Sequence, residues 1–359
     1  MTKANHFGLI LAGGRGTRFW PRSRSRRAKQ VLQIFGGSTM IQSTVSRLAP
    51  AIAPERMWVL TSGDLRGEIV KQLPHVAGRQ ILAEPVPRNT APAIGVAAHL
   101  LASMDPDAVM GVFPSDHVVL SPSRFLRVVR AAFKAAAEGK IVTLGIPPRH
   151  PETGFGYVEL PKGATPGSLD PYPVARFREK PDLATAKKYL KAGRFYWNSG
   201  MFFWKAQVFL DALRKHLPKT ATLLSSLPPV SSKRFLAAFA EAFPLCESIS
   251  VDYAVLEKAD NVVALACEDF GWSDVGSWSA VYDLLDKDPD ANAGRGTMIT
   301  LDARGNYVDV EGKLVALVGV ENLIVVDTPD ALLVVPRDQS QRVGDLVKLL
   351  EKHNRKDLL

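Results

Sequence analysis

Cysteine is scarce in this 359-residue chain: there are two, Cys246 and Cys267. They form no CxxC pair and have no metal-ligand spacing around them, which excludes a disulfide-stapled fold. Both read as reduced core thiols of a cytosolic protein. Long apolar runs are also missing. None approaches the roughly 18 residues of a membrane span. The N-terminal MTKANHFGLILAGG has one lysine, a very short apolar run and no small-x-small cleavage pattern, so no secretory leader is expected. These absences predict a cytoplasmic protein with no membrane partner. The chain also has no low-complexity tract, no GxGxxG and no P-loop GxxxxGK[ST].

What is present is ample apolar material, 46% of residues, with 23% charged. That suits two domains, or one large domain with an appendage. Basic residues outnumber acidic ones by 45 to 36, a net charge of +9. The excess favours anionic partners without choosing among phosphates, nucleic acid and membrane surfaces.

Short apolar runs alternate with helical patterns. FGLILA (7–12), MWVLTS (57–62), QILAE (80–84) and AVMGVFP (108–114) read as buried strands. Amphipathic stretches such as TMIQSTVSRLAP and APAIGVAAHLLASM separate them. The pattern predicts an α/β fold with a mainly parallel sheet and helices on both faces. In such sheets ligands bind beyond the carboxyl ends of strands. GFGYVEL, PVARFREKP and GMFFWKA add β signals and predict an inserted substrate lobe. FLAAFAEAF (235–243) and VDYAVLEKA (251–259) read as helices, and VVALACEDF (262–270) as a strand. The polar stretch DKDPDANAGRGT (286–297) marks a linker, which divides the chain into residues 1–288 and 289–359. The second part has short strands with turn signals, as in a coil of stacked strands. It ends in a helix with Val343, Leu346, Val347 and Leu350 on one face, capped by Ser340 or Asp338.

The most informative stretch is LAGGRGTRFWPRSRSRRAKQ (11–30). A buried strand runs straight into Gly13, Gly14 and Gly16. Glycines let the backbone turn tightly and approach a ligand, so several N–H groups can converge as an anion nest. Arg15, Arg18 and Lys29 would add full charges. A tight turn with a solvated basic loop is the plainer reading. Six arginines between Arg15 and Arg27 could also line a nucleic-acid backbone. However, the run lies between a buried strand and the apparent next element, VLQIF, and carries only Phe19 and Trp20 for stacking. No nucleic-acid partner is therefore expected.

This stretch resembles the signature of the sugar-1-phosphate nucleotidylyltransferases, and within them the mannose-1-phosphate guanylyltransferase branch. EPVPRNTAPAI (84–94), FPSDHVV (113–119), GFGYVE (154–159), FREKPD (177–182), YWNSGMFFWKA (196–206), VDYAVLEKA (251–259) and GWSDVGSW (271–278) follow in the family's order. One departure is Ala28, where the usual pattern has proline before Lys-Gln. The resemblance implies a Rossmann-like nucleotidyltransferase domain over residues 1–288, with a small β-rich domain ending in a helix over 289–359. It implies that Leu11, Ala12, Gly13, Gly14, Gly16, Thr17, Arg18 and Ser115 bind nucleotide, with Arg15 and Lys29 on the triphosphate. It further implies that Asp116 and Asp274 hold Mg²⁺, which takes one or two carboxylates plus substrate phosphates. A lone Ser-Asp-His would otherwise read as an Asx turn or helix cap.

EPVPRNTAP offers Glu84 as an acceptor for guanine N1–H and N2–H₂, with Arg88, Asn89 and Thr90 for O6 or the ribose. The family likeness supports a base site here; a proline-rich loop in which Thr90 caps the next helix is the plainer reading. In the family pattern Glu179 bonds sugar hydroxyls, Lys180 meets the sugar phosphate, Asn198 faces the sugar, and Gly156 and Gly200 allow close approach. Each of these also has an ordinary reading as an ion pair or turn.

The implied reaction is Mg²⁺-dependent: GTP and α-D-mannose 1-phosphate give GDP-mannose and diphosphate. Three alternatives stand beside it. One is the same chemistry on glucose 1-phosphate with UTP or dTTP, or on heptose or fucose 1-phosphate with GTP. The others are a non-catalytic nucleotide-sugar sensor and a nucleic-acid binder. The apolar tail fits packing on the catalytic domain or on a second copy in a homodimer, and the sequence leaves both open.

Overall fold

The computed structural model describes residues 5–359. The chain forms two compact units, neither of them contiguous in sequence. The first holds residues up to Gly13, then Thr44–Ser115 and Val119–Trp272; the second holds Gly14–Ser43, Asp116–Val118 and Ser273–Leu359.

The first unit is built on a mixed, mainly parallel sheet. Its order runs Ile81–Glu84, Met57–Ser62, His6–Ala12, Val109–Pro114, Phe195–Lys205, Ile141–Ile146, Val262–Ala266 and Pro171–Pro173. The first four strands are mutually parallel; Phe195–Lys205 runs antiparallel to both its neighbours. These strands are near-continuous apolar runs because helices cover both faces. The helix Thr90–Met104 shows the cost of that packing. Its Gly95 lies where a Cβ would come within 2.6 Å of a Leu224 methyl and 2.8 Å of a Leu213 methyl. The helix starts where the Asn89 side chain accepts from the Thr90 N–H, at 2.9 Å.

The second unit contains a four-stranded sheet ordered Ala293–Leu301, Tyr307–Val318, Leu323–Thr328 and Ala331–Pro336. The first three are parallel and consecutive. Their connections are too short for a crossover helix, so the chain must coil as stacked turns. Asparagines brace the coil: Asn292 Oδ1 accepts from Asn306 N and Nδ2, each at 3.0 Å, and Asn306 Oδ1 accepts from Leu323 N at 2.9 Å. The core joins distant segments, with Phe19, Trp20, Leu32, Ile34 and Met40 clustering with Trp278, Tyr307, Ile324, Val326, Val343 and Val347.

Several local expectations are corrected. VLQIF, expected as the next element, forms no regular element of its own; Lys29–Val31 is one 3₁₀ turn followed by loop. VDYAVLEKA forms a single π-helical turn over Asp252–Leu256, too short for the expected helix. The strand expected over 262–270 stops at Ala266. The last helix, Val343–Lys352, has no side-chain cap, because a 3₁₀ segment Arg337–Arg342 feeds straight into it. Ser340 instead bonds Ser277 Oγ at 3.2 Å.

Candidate active site

In the second unit the glycine turn folds around Lys29. Gly16 has φ of 60°, and a Cβ there would sit 2.7 Å from Lys29 Cβ, so only glycine fits. Lys29 is 5% exposed along its side chain and lies over the Phe19 ring. Its ammonium is 2.9 Å from Asp116 Oδ2 and donates to the Asp274 carbonyl at 2.6 Å. One cation thus gathers both aspartates. Burial alone would raise the Asp116 carboxyl; Lys29 and His117 outweigh it and hold the group below the usual carboxylate range. Asp116 is still one-third open, at 34% exposure. Gln30 Nε2 ties the turn by donating to the Gly14 carbonyl at 2.9 Å.

The arginines of the loop have partners far along the chain. Arg15 pairs with Glu351 at 3.0 Å, and Arg18 donates to Gln341 Oε1 at 2.7 Å. Arg22 pairs with Asp309 through two nitrogens, at 2.6 and 3.1 Å, and Arg24 pairs with Asp330 at 2.9 Å. Much of the basic run is therefore matched by residues 309–351. The Gly276 backbone runs beside Asp274, where a Cβ would lie 3.0 Å from Asp274 Oδ2 and 3.5 Å from an Arg18 nitrogen. Thr17 begins the 3₁₀ turn Thr17–Phe19.

In the first unit the strand ends meet as expected for a parallel sheet. The Leu11 carbonyl accepts from Ser115 N at 3.1 Å, and the Ala12 carbonyl accepts from Thr61 Oγ1 at 2.9 Å. Glu84 ends its strand near Gly13, where a Cβ would be 3.8 Å from Glu84 Oε1. Burial pushes the Glu84 carboxyl up to about 7. The other three residues expected at the base site are structurally engaged. Arg88 donates to the Pro244 carbonyl, Asn89 caps the helix, and Thr90 Oγ1 accepts from Val251 N at 2.8 Å.

A second cluster forms around Gly156. A Cβ there would lie 2.4 Å from Glu179 Oε2 and 3.3 Å from Asn198 Cβ. Glu179 and Lys180 pair at 2.5 Å, and Lys180 sits in left-handed backbone at φ 44°. Asn198 lies where the strand register shifts, a bulge that turns residues out of the ladder. Gly200, at φ 71°, donates to Asn198 Oδ1 at 3.3 Å. Two further members were missed in the sequence. Thr143 donates to Asn198 Oδ1 at 2.8 Å, and Asp252 Oδ1 accepts from Asn198 Nδ2 at 3.1 Å. Asp252 lies in a stretch that reads as an ordinary helix, so nothing in its pattern pointed inward.

Among the described residues, no three His, Cys, Asp or Glu side chains are grouped to hold a metal. Both cysteines are buried, and burial raises both thiols, Cys246 to about 11. No helix of the described residues is long and apolar enough to cross a membrane.

Comparison with known proteins agrees with this architecture. The chain is 39% identical over 353 residues to a mannose-1-phosphate guanylyltransferase of Klebsiella pneumoniae, covering 97% of this chain and 74% of that one. It is 41% identical over 353 residues to the xanthan biosynthesis protein XanB of Xanthomonas campestris pv. campestris (strain B100), with the same coverage. A crystal structure from Thermus thermophilus, described as a mannose-1-phosphate geranyltransferase, superposes with a TM-score of 0.84 at 34% identity, over 97% of this chain and 99% of that one. A β-helix domain model of the mannose-phosphate isomerase/GMP-like type matches residues 296–350. The nucleotidyl transferase model matches residues 7–291, and the chain belongs to that family.

Proposed function

We propose that this chain is a mannose-1-phosphate guanylyltransferase, joining GTP and α-D-mannose 1-phosphate into GDP-mannose with release of diphosphate. The nucleotidyl transferase match and the relatives near 40% identity support this chemistry and this sugar. The observation that carries it within the molecule is the Lys29 ammonium holding Asp116 and the Asp274 segment together. A phosphate monoester is already largely ionised at neutral pH, so its oxygen attacks the α-phosphorus in line without a general base. The protein's task is then positioning and charge neutralisation. Lys180 meets the sugar phosphate, and Glu179 and Asn198 meet the sugar. Glu84 accepts from the guanine edge. The N–H groups of the glycine turn, with Arg15 and Arg18, face the triphosphate. That role requires the two guanidinium groups to exchange Glu351 and Gln341 for phosphate oxygens.

A divalent metal is usual in the family, and Mg²⁺ is our assignment. Asp116 and Asp274 fit it: Asp116 is kept ionised, is partly open and offers hard oxygen, and Mg²⁺ needs few protein carboxylates when phosphates complete its shell. When bound, the ion would neutralise charge on the reacting phosphates.

The test is diphosphate release across a panel of GTP, ATP, UTP and dTTP with mannose, glucose, fucose and heptose 1-phosphates, with and without EDTA. GTP with mannose 1-phosphate is expected to lead, and EDTA to abolish it. Preference for UTP or dTTP with glucose 1-phosphate would move the chain to another substrate class, and no release with any pair would reject the proposal.

A further inference from the structure

The sequence singles out VDYAVLEKA, yet the reaction as described gives its aspartate no task. In the structure Asp252 begins a π-helical turn, Asp252–Leu256, a geometry that often marks functional positions. Its Oδ1 accepts from Asn198 Nδ2 at 3.1 Å. The other end of that amide is occupied too: Asn198 Oδ1 accepts from Thr143 Oγ1 at 2.8 Å and from Gly200 N at 3.3 Å. Asn198 itself is 8% exposed. A primary amide has two N–H donors and one carbonyl oxygen. With the oxygen engaged twice and one N–H given to Asp252, a single N–H is left to offer.

We infer that Asp252 is a positioning residue for the sugar site: it fixes the orientation of the Asn198 amide so that this residue presents a donor to a sugar oxygen. Beside it Glu179 presents an acceptor, so the pair offers one donor and one acceptor to neighbouring hydroxyls. Without Asp252 the amide is held only at its oxygen, by Thr143 and Gly200, and its N–H groups lose their fixed aim. The placement is costly, as expected of a site and not of packing. Burial and the charge of Glu179 push the Asp252 carboxyl up to about 6, against the pull of its own N–H, Lys180 and the Ser250 hydroxyl. The inference rests on the proposed function, because it takes Asn198 as a sugar contact.

The experiment is a double-mutant cycle with Asp252→Ala and Asn198→Ala in the full chain, measuring KM separately for mannose 1-phosphate and GTP. Asp252→Ala is expected to raise KM for the sugar phosphate about ten- to a hundredfold, the usual effect of losing a hydrogen bond to a charged group. KM for GTP should stay within about twofold, since only one half of the substrate set is touched. In the Asn198→Ala background the Asp252 change should add less than about twofold, because residues acting through each other are not additive. Additive effects, or equal rises in both KM values, would overturn the inference. Asp252→Asn is the second arm, and it decides the matter if the alanine variant does not fold. It keeps an oxygen that can accept from Asn198, so KM for the sugar phosphate should stay within about threefold of wild type, well short of the loss of a whole hydrogen bond. A rise of about tenfold or more would show that the charge, not the amide's orientation, is what matters. Wild-type turnover with mannose 1-phosphate is the separate control: its absence removes the proposed function and this role with it, whereas normal wild-type turnover with additive variants removes only the role.

Discussion

Glu84 shows how much one side chain's surroundings matter. Its carboxyl is pushed up to about 7 by burial, so near neutral pH it is divided between acid and carboxylate. Only the carboxylate can accept from both guanine donors. Affinity for GTP should therefore weaken as pH falls below 7, approaching a tenfold loss per unit well below that value. Comparing KM for GTP at pH 6 and pH 8 in wild type and Glu84→Gln is the measurement. The glutamine variant should bind more weakly at pH 8 and lose the part of the pH dependence that wild type alone shows; parallel profiles would reject the role. For folding the sign is reversed. An acid raised above its unfolded value of 4.5 favours the folded state at low pH, and that contribution is lost as pH rises through about 7.

The 3₁₀ turn Lys29–Val31 is the element that organises the acidic site. From the sequence Lys29 is expected on the triphosphate, as a phosphate-binding cation with no part in holding the fold. Its burial against Asp116 and the Asp274 carbonyl changes that expectation. Lys29→Ala should leave a partly buried carboxylate without its partner, costing about 2 kcal/mol; a fully enclosed pair would cost more. Thermal melts should show a lower midpoint, and diphosphate release should fall by at least about a hundredfold, the usual scale for a lost electrostatic contact in a transition state. An unchanged melt with activity lost would restore the simpler reading. Elements of this kind were poorly legible in the sequence. The parallel strands were clear because four buried apolar runs are interrupted by turn residues. Lys29–Val31 and Asp252–Leu256 were obscured because apolar residues flank both, so their composition mimics longer regular elements. Only long-range packing distinguishes them.

At the scale of the whole molecule, the second compact unit takes its residues from both sides of the linker. A polar stretch near residue 288 is a local signal, but Phe19, Trp20, Leu32 and Ile34 complete their core with Tyr307, Ile324, Val326 and Val347. A chain ending at residue 288 would strand those side chains in water and leave Arg15, Arg18, Arg22 and Arg24 without Glu351, Gln341, Asp309 and Asp330. Such a truncation should be poorly soluble, and any soluble fraction should release no diphosphate. Full activity in a monomeric 1–288 fragment would show that the coil is dispensable. The sequence revealed the positive charge of the 11–30 stretch but not its acidic partners, which lie some 290 to 340 positions later.

Lys180 holds a backbone shape, at φ 44°, that most side chains resist and glycine adopts freely. Replacement by glycine would relax the chain locally, by roughly 1 kcal/mol. If sturdiness alone were under selection, this position would drift toward glycine over generations. A persistent lysine there would therefore mark what natural selection demands of the molecule beyond keeping its shape.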